Sequence, residues 1–141
     1  MSQENVEVVR RALTALDRRD VEAYLQVVSP QIELITFASP LQGQGPITGH
    51  EGIRDYFHEL WSYSEASQLQ VEEIRAVEER VLAFFVITAT AQQGIQTSVR
   101  AAAVYDFEHG KIRRAHIFAD RNEALEALGL SEWAQRVSRP S

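Results

Sequence analysis

The chain of 141 residues contains no cysteine, which excludes disulfides, thiolate catalysis and cysteine-built zinc sites. Positive charge is scarce: 14 Lys and Arg stand against 20 Asp and Glu, for a net charge of −6. A nucleic-acid binder needs a basic stripe to neutralise phosphates, so that class is set aside. Long apolar runs are also missing. The longest, Val81–Ile87, is far shorter than the roughly 20 residues of a helical membrane span, and no membrane association is expected. The first residues, Met1-Ser2-Gln3-Glu4-Asn5, lack the basic start and apolar stretch of a secretory signal, which points to a cytoplasmic location. What the chain does have is apolar bulk, 45% of its residues, enough at this length for one core without covalent staples. Residues 1–130 read as a single domain and 131–141 as a C-terminal tail, with one further turn anchored by Trp133 and a loose end at Ser138-Arg139-Pro140-Ser141.

Periodicity divides the domain. Val6, Val9, Leu13 and Leu16 form one helical stripe, and Asp20 caps a second, shorter helix through Val21, Tyr24, Leu25 and Val28 that Pro30 ends. Ile32 to Phe37 are mostly β-branched or aromatic and read as a strand, followed by a loop over 39–46. Thr48 and Glu51 stand in capping-box spacing before Ile53, Tyr56, Phe57, Leu60 and Trp61, a wide apolar helical face. From Leu69 the period drops towards two, predicting strands at 69–78, 80–92, 95–108 and 111–119 joined by short turns, hence antiparallel. A last helix starts at Asp120 and ends at Gly129, with Leu130 supplying the apolar contact that follows such a stop. Helices gathered on one face of such a sheet make an α+β domain. Val81–Ile87 is apolar at both parities, so that strand is covered on both faces. With the helices assigned to one face, the other is expected to pack on a second copy, giving a homodimer through the outer sheet face.

Several local signatures then resemble the nuclear transport factor 2-like superfamily, within it the SnoaL-like polyketide cyclase and ketosteroid isomerase-related branch. They are Val8-Val9-Arg10-Arg11 through Asp20, Thr48-Gly49-His50-Glu51-Gly52-Ile53-Arg54, Gly110-Lys111-Ile112, and Asp120 through Glu123-Ala124-Leu125 to Leu128-Gly129-Leu130. The resemblance covers residues 3–130. It implies a cone-shaped, strongly curved, mostly antiparallel sheet wrapped around the N-terminal helices and enclosing an apolar pocket. The implied register turns odd-numbered residues of the last three strands inward, among them Phe85, Ile87, Val99, Ala103, Tyr105 and Ile117. Ile35 and Phe37 join from the first strand, and Phe57 and Trp61 from the third helix.

The same resemblance argues against borrowed chemistry. The isomerases pair a carboxylate base with a tyrosine and a protonated aspartic acid that hold an oxyanion. Those positions fall here on Ile35, Ala12 and Ala103, none of which accepts or donates a proton. The last-strand acid of the epoxide hydrolases falls on Ile117, and no arginine–aspartate pair matches the other half of that site.

The remaining polar candidates are few. His116 and Asp120 form a possible acid–base pair with Arg100 on the neighbouring strand, although Asp120 with Glu123 reads more simply as a helix cap. By parity His116 and Arg100 face away from the pocket. Tyr105 either orients a ligand oxygen or bonds to backbone. Tyr56, Phe57 and Trp61 are core first and ligand wall second. His50 and Glu51 have no companion at metal-ligand spacing, so no metal is expected. His58, His109 and the pairs Glu72-Glu73 and Glu78-Glu79 read as solvated charges. The expectation is a dimeric protein, needing no cofactor, whose pocket takes a small hydrophobic molecule. Isomerase, cyclase or lyase chemistry on a carbonyl compound is left open, and a non-catalytic protein-interaction module of the same fold is the rival reading.

Overall fold

A computed structural model of the chain describes residues 2–37, 45–91 and 93–129. The tail 131–141 with its expected turn at Trp133, the Leu130 contact, Gln92 of a hairpin turn and most of the 39–46 loop lie outside the described residues. The elements run α1 (Ser2–Asp17), α2 (Val21–Val27), β1 (Val28–Thr36), β2 (Ile47–Thr48), α3 (Gly49–Trp61), β3 (Ala66–Val77), β4 (Arg80–Thr90), β5 (Gln96–Glu108), β6 (Lys111–Phe118) and α4 (Arg121–Ala127). They build an α+β fold on one open, curved sheet of six strands in the order β2-β1-β6-β5-β4-β3. All neighbours are antiparallel except β1 and β6, which run parallel and are joined by a long crossover through β2, α3 and the strands β3–β5. No helix among the described residues is long and apolar enough to cross a membrane.

Local sequence explains most boundaries. The Asp20 side chain accepts a hydrogen bond from the Ala23 N–H at 3.1 Å and opens α2. Asp120 does the same for Asn122 N–H at 2.8 Å in front of α4, and Gly129 closes that helix at φ +73°. Two boundaries differ from expectation. Thr48 occupies the N-cap of α3 but its side chain makes no cap hydrogen bond, and the Glu51 carboxylate, which would supply the reciprocal half of a capping box, accepts from Arg54 at 2.8 Å. Pro30 lies inside β1 rather than at a helix end. It is tolerated there because β2 pairs only with Glu33 and Leu34, so no ladder bond is asked of its missing N–H from that side.

The inner face of the sheet meets α1, α2 and α3 in the main core. Val9, Leu13, Tyr24, Leu25, Ile53 and Phe57 pack there on Leu34, Val81, Ala83, Phe85, Ala101, Ala103, Tyr105 and Ala115. The outer face carries a second, smaller cluster of Leu82, Ala102, Val104 and Ala124, with Phe84, Phe118, Leu125 and Leu128 against it. This corrects the expectation for β4. Its two-sided apolarity does not require a second chain at Leu82, because α4 folds back over the outer face and covers that position.

Arg19 ties the helical layer to the sheet. Its backbone sits at φ +55°, which turns the guanidinium toward the end of α3 and the start of β3. It donates to Trp61 O at 3.1 Å, Ser64 O at 3.3 Å, Ser64 Oγ at 2.8 Å and Ser67 Oγ at 3.1 Å. Asp17 adds an acceptor for the Leu69 N–H at 2.7 Å. The C-terminal end of α1 thereby fixes the edge of the cavity described next.

Candidate functional site

Between the helices and the inner sheet face lies a cavity of about 90 Å³. That is several times what one water needs. Its wall comes from three helices and the sheet: Leu13 and Leu16 of α1, Tyr24 of α2, Tyr56, Phe57, Leu60 and Trp61 of α3, and Ser67, Gln68, Leu69, Phe85, Ile87, Tyr105 and Ile117 of the strands. Thr36 and Phe37 complete it at the end of β1. The α3 stripe places its rings in sequence along the wall. Tyr24 meets Phe57 edge-on at 5.5 Å, Tyr56 meets Phe57 edge-on at 4.9 Å, and Phe57 stacks on Trp61 at 5.1 Å. At the mouth, the Arg19 guanidinium lies 6.0 Å from the Trp61 ring centroid, and Phe37 is 44% exposed.

No carboxylate, amine, guanidinium or imidazole lines this cavity among the described residues. Its polarity comes from hydroxyls and one amide. Burial pushes the Tyr24, Tyr56 and Tyr105 phenols above their ordinary range, Tyr105 further raised by Tyr24 and Tyr24 by Tyr56. A hydrogen bond with Thr36 works the other way at Tyr56. All three are therefore neutral, potential donors at physiological pH. Apolar walls with a few convergent polar groups are the usual make-up of a small-molecule site.

The residues named from the sequence distribute unevenly. Phe37, Phe57, Trp61, Phe85, Ile87, Tyr105 and Ile117 lie on the cavity wall. Val99 pairs with Ile87 and packs against the core without reaching the cavity. Ala103 is fully buried between Ala83 and Ile117, beneath the wall rather than on it. Ile35 points the other way. It pairs with His116 of the outer face, while Leu34 pairs with inward Ala115 and Thr36 with Ile117. The β1 register therefore turns even-numbered residues inward, and Leu34 and Thr36 take the place expected for Ile35. Neither is a carboxylate, so the lack of an isomerase base on β1 stands.

His116 and Asp120 are not brought together as an acid–base pair. The His116 ring stacks on Phe118 at 3.9 Å on the outer face, and burial first, then Arg114, lowers its pKa. The Asp120 carboxylate is engaged in capping α4. Arg100 lies beside Glu72 at 3.9 Å, which also binds Arg121. His50 Nε2 is 3.1 Å from Val28 O, a structural tie, and no group of three metal-ligating side chains occurs among the described residues. Tyr24 and Thr36 are cavity residues that the sequence does not single out, and Tyr56 is read from it as core first and ligand wall second. The helical stripes show that both tyrosines are buried, but a period of 3.6 does not say which buried side chains border empty space. For Thr36 a signal exists: Glu33 is charged, so its odd-numbered partner Ile35 shares the outer face.

A family model described as SnoaL-like domain matches residues 9–115. Solved structures with the same fold include a nuclear transport factor 2-like protein of unknown function from Burkholderia pseudomallei. It is 20% identical, with a TM-score of 0.74 over 89% of this chain and 97% of that one. TerC, co-crystallized with polyporic acid, is 20% identical with a TM-score of 0.73 over 89% of this chain and 98% of its own. A Mycobacterium tuberculosis protein in complex with estradiol-17β-hemisuccinate is 13% identical with a TM-score of 0.69, covering 82% of this chain and 92% of that one. No curated protein matches the sequence.

Proposed function

This chain belongs to the SnoaL-like domain family of the nuclear transport factor 2-like superfamily, and from that premise we propose that it binds a small hydrophobic or aromatic molecule in the inner cavity. The observation that carries the reading is the uncharged wall of stacked and edge-on rings, Tyr24, Tyr56, Phe57 and Trp61, facing Phe85 and Ile87 across a preformed space. The similar proteins co-crystallized with polyporic acid and with estradiol-17β-hemisuccinate support a ligand of this kind. The chemistry suited to such a wall is polarisation of a carbonyl by neutral phenols. Proton abstraction by a carboxylate is not, since the inward positions of β1, where the base would stand, carry Leu34 and Thr36, and no carboxylate lines the cavity among the described residues.

A thermal-shift screen against steroid-, terpenoid- and aromatic-polyketide-like compounds tests this directly. A ligand present at 100 times its dissociation constant adds about 2.7 kcal/mol to the folded state. Ile87→Trp, which places an indole in the cavity from a partly buried wall position, should remove the shift while the unliganded protein still melts cooperatively. A shift that survives Ile87→Trp would place the ligand elsewhere. Absence of any shift across the panel would favour a protein-interaction role for the fold.

We also propose that two chains pair through the part of the outer face that α4 leaves open. Phe84, under the Arg121 guanidinium at 4.9 Å, lies there with half-buried Val86 and the His116–Phe118 stack. Sedimentation equilibrium at micromolar concentration should return twice the chain mass of 15.9 kDa, and Val86→Arg should return the single mass. A monomer mass for the unmodified protein would overturn the pairing.

A further inference from the structure

Two of the cavity's phenols carry more information than the general reading uses. Tyr24 projects from α2 and Tyr105 from β5, and each is only 2% exposed. Both line the same space. Tyr56 has its hydroxyl engaged with Thr36, whereas neither the Tyr24 nor the Tyr105 hydroxyl has a hydrogen-bond partner among the described residues. Buried hydroxyls are normally satisfied, because leaving one unmade forfeits its hydration without return. These two are not sealed in carbon either. The Arg121 Nε is the one fully enclosed side-chain polar atom lacking a partner among the described residues, so both phenol oxygens border open cavity space.

Each phenol offers one O–H, and a carbonyl, phenolic or enolic oxygen has the lone pairs to accept two. Burial keeps both groups protonated, and Tyr24 is near enough to Tyr105 to act on its ionisation. We propose that the Tyr24 and Tyr105 hydroxyls form a paired donor site that selects ligands presenting an acceptor oxygen on a compact ring skeleton over hydrocarbons of the same size. This rests on the reading that the cavity binds a small molecule. The pair lies on α2 and β5, at neither of the positions, Ala12 and Ala103, where the isomerase resemblance would place oxyanion donors.

The test uses two probes of nearly equal size, 2-naphthol and 2-methylnaphthalene, titrated by equilibrium dialysis into the unmodified protein, Tyr24→Phe and Tyr105→Phe. A purely apolar cavity would prefer the methyl compound, since methyl is the more hydrophobic substituent. The donor pair reverses that order, with 2-naphthol binding roughly tenfold more tightly. Each Phe variant should weaken 2-naphthol about fivefold and leave 2-methylnaphthalene unchanged. If both probes bind with 2-methylnaphthalene equal or tighter, the donor pair is wrong and the cavity reading stands. An effect confined to one variant overturns the pairing in favour of a single donor. If neither probe binds, the cavity reading itself fails and the pair falls with it. Should a Phe variant fail to fold, the order of the two probes on the unmodified protein still decides the matter.

Discussion

Phe85→Ala should cost about 3–5 kcal/mol of folding free energy, the range for deleting a buried phenylalanine ring. Phe85 is 1% exposed at the centre of β4, paired with Ala101 on one side and Val71 on the other. Alanine at three of the neighbouring inner positions, Ala83, Ala101 and Ala103, leaves little side chain on β4 and β5 beside the ring to swing into the space. The site collapses poorly, which is the condition under which the cavity penalty is largest. Set against a total stability of roughly 5–15 kcal/mol, the loss should lower the melting temperature by roughly 10–20 °C. The same ring forms part of the ligand wall, so the variant should also admit larger compounds than the unmodified protein does. A loss below 1 kcal/mol in chemical denaturation would show that the ring is not packed as described.

Raising the pH should unfold the protein before its inner tyrosines ionise. Burial is the first cause of the upward shift at Tyr24, Tyr56 and Tyr105. An unfolded phenol titrates near 10. A group whose folded pKa is raised binds its proton more tightly in the folded state. Its stabilising contribution is therefore complete below pH about 10 and is lost as the pH climbs above that value. With three such phenols held protonated, stability should fall by up to about 4 kcal/mol per pH unit in that region. Phenolate absorbance followed alongside far-UV circular dichroism should show these tyrosines appearing together with loss of structure. Reversible ionisation of all of them near pH 10 in a protein that keeps its dichroism would mean that the cavity is wet and the phenols are not buried donors.

How far the sequence alone reaches can be read from particular residues. The α3 stripe identifies Phe57 and Trp61, because periodicity reports which side of an element is buried, whereas Val81–Ile87 is apolar at both parities and only the register implied by the family resemblance turns Phe85, Ile87 and Tyr105 inward. Ile35 shows where that stops. Parity on β1 depends on its pairing with β6, a strand about eighty residues away, and that ladder shifts register between Val28 and Glu33. A one-residue shift exchanges every side chain between faces. Only the charge of Glu33 marks the outer side locally. Tyr24 illustrates a second limit, since its stripe mates Val21 and Leu25 are core and nothing in the α2 pattern says that Tyr24 alone of the three borders the cavity. The outer face illustrates a third. A two-sided strand demands a cover, but whether α4 or another chain supplies it depends on the direction α4 takes after Asp120.

The cavity reading is tested most directly by the stoichiometry of 2-naphthol binding to the unmodified protein and to Ile87→Trp, measured side by side by equilibrium dialysis. One molecule bound per unmodified chain, and none to the folded variant, is the expected result. Equal binding by both proteins, or by neither, would contradict a ligand site walled by Phe57, Trp61, Phe85 and Ile87.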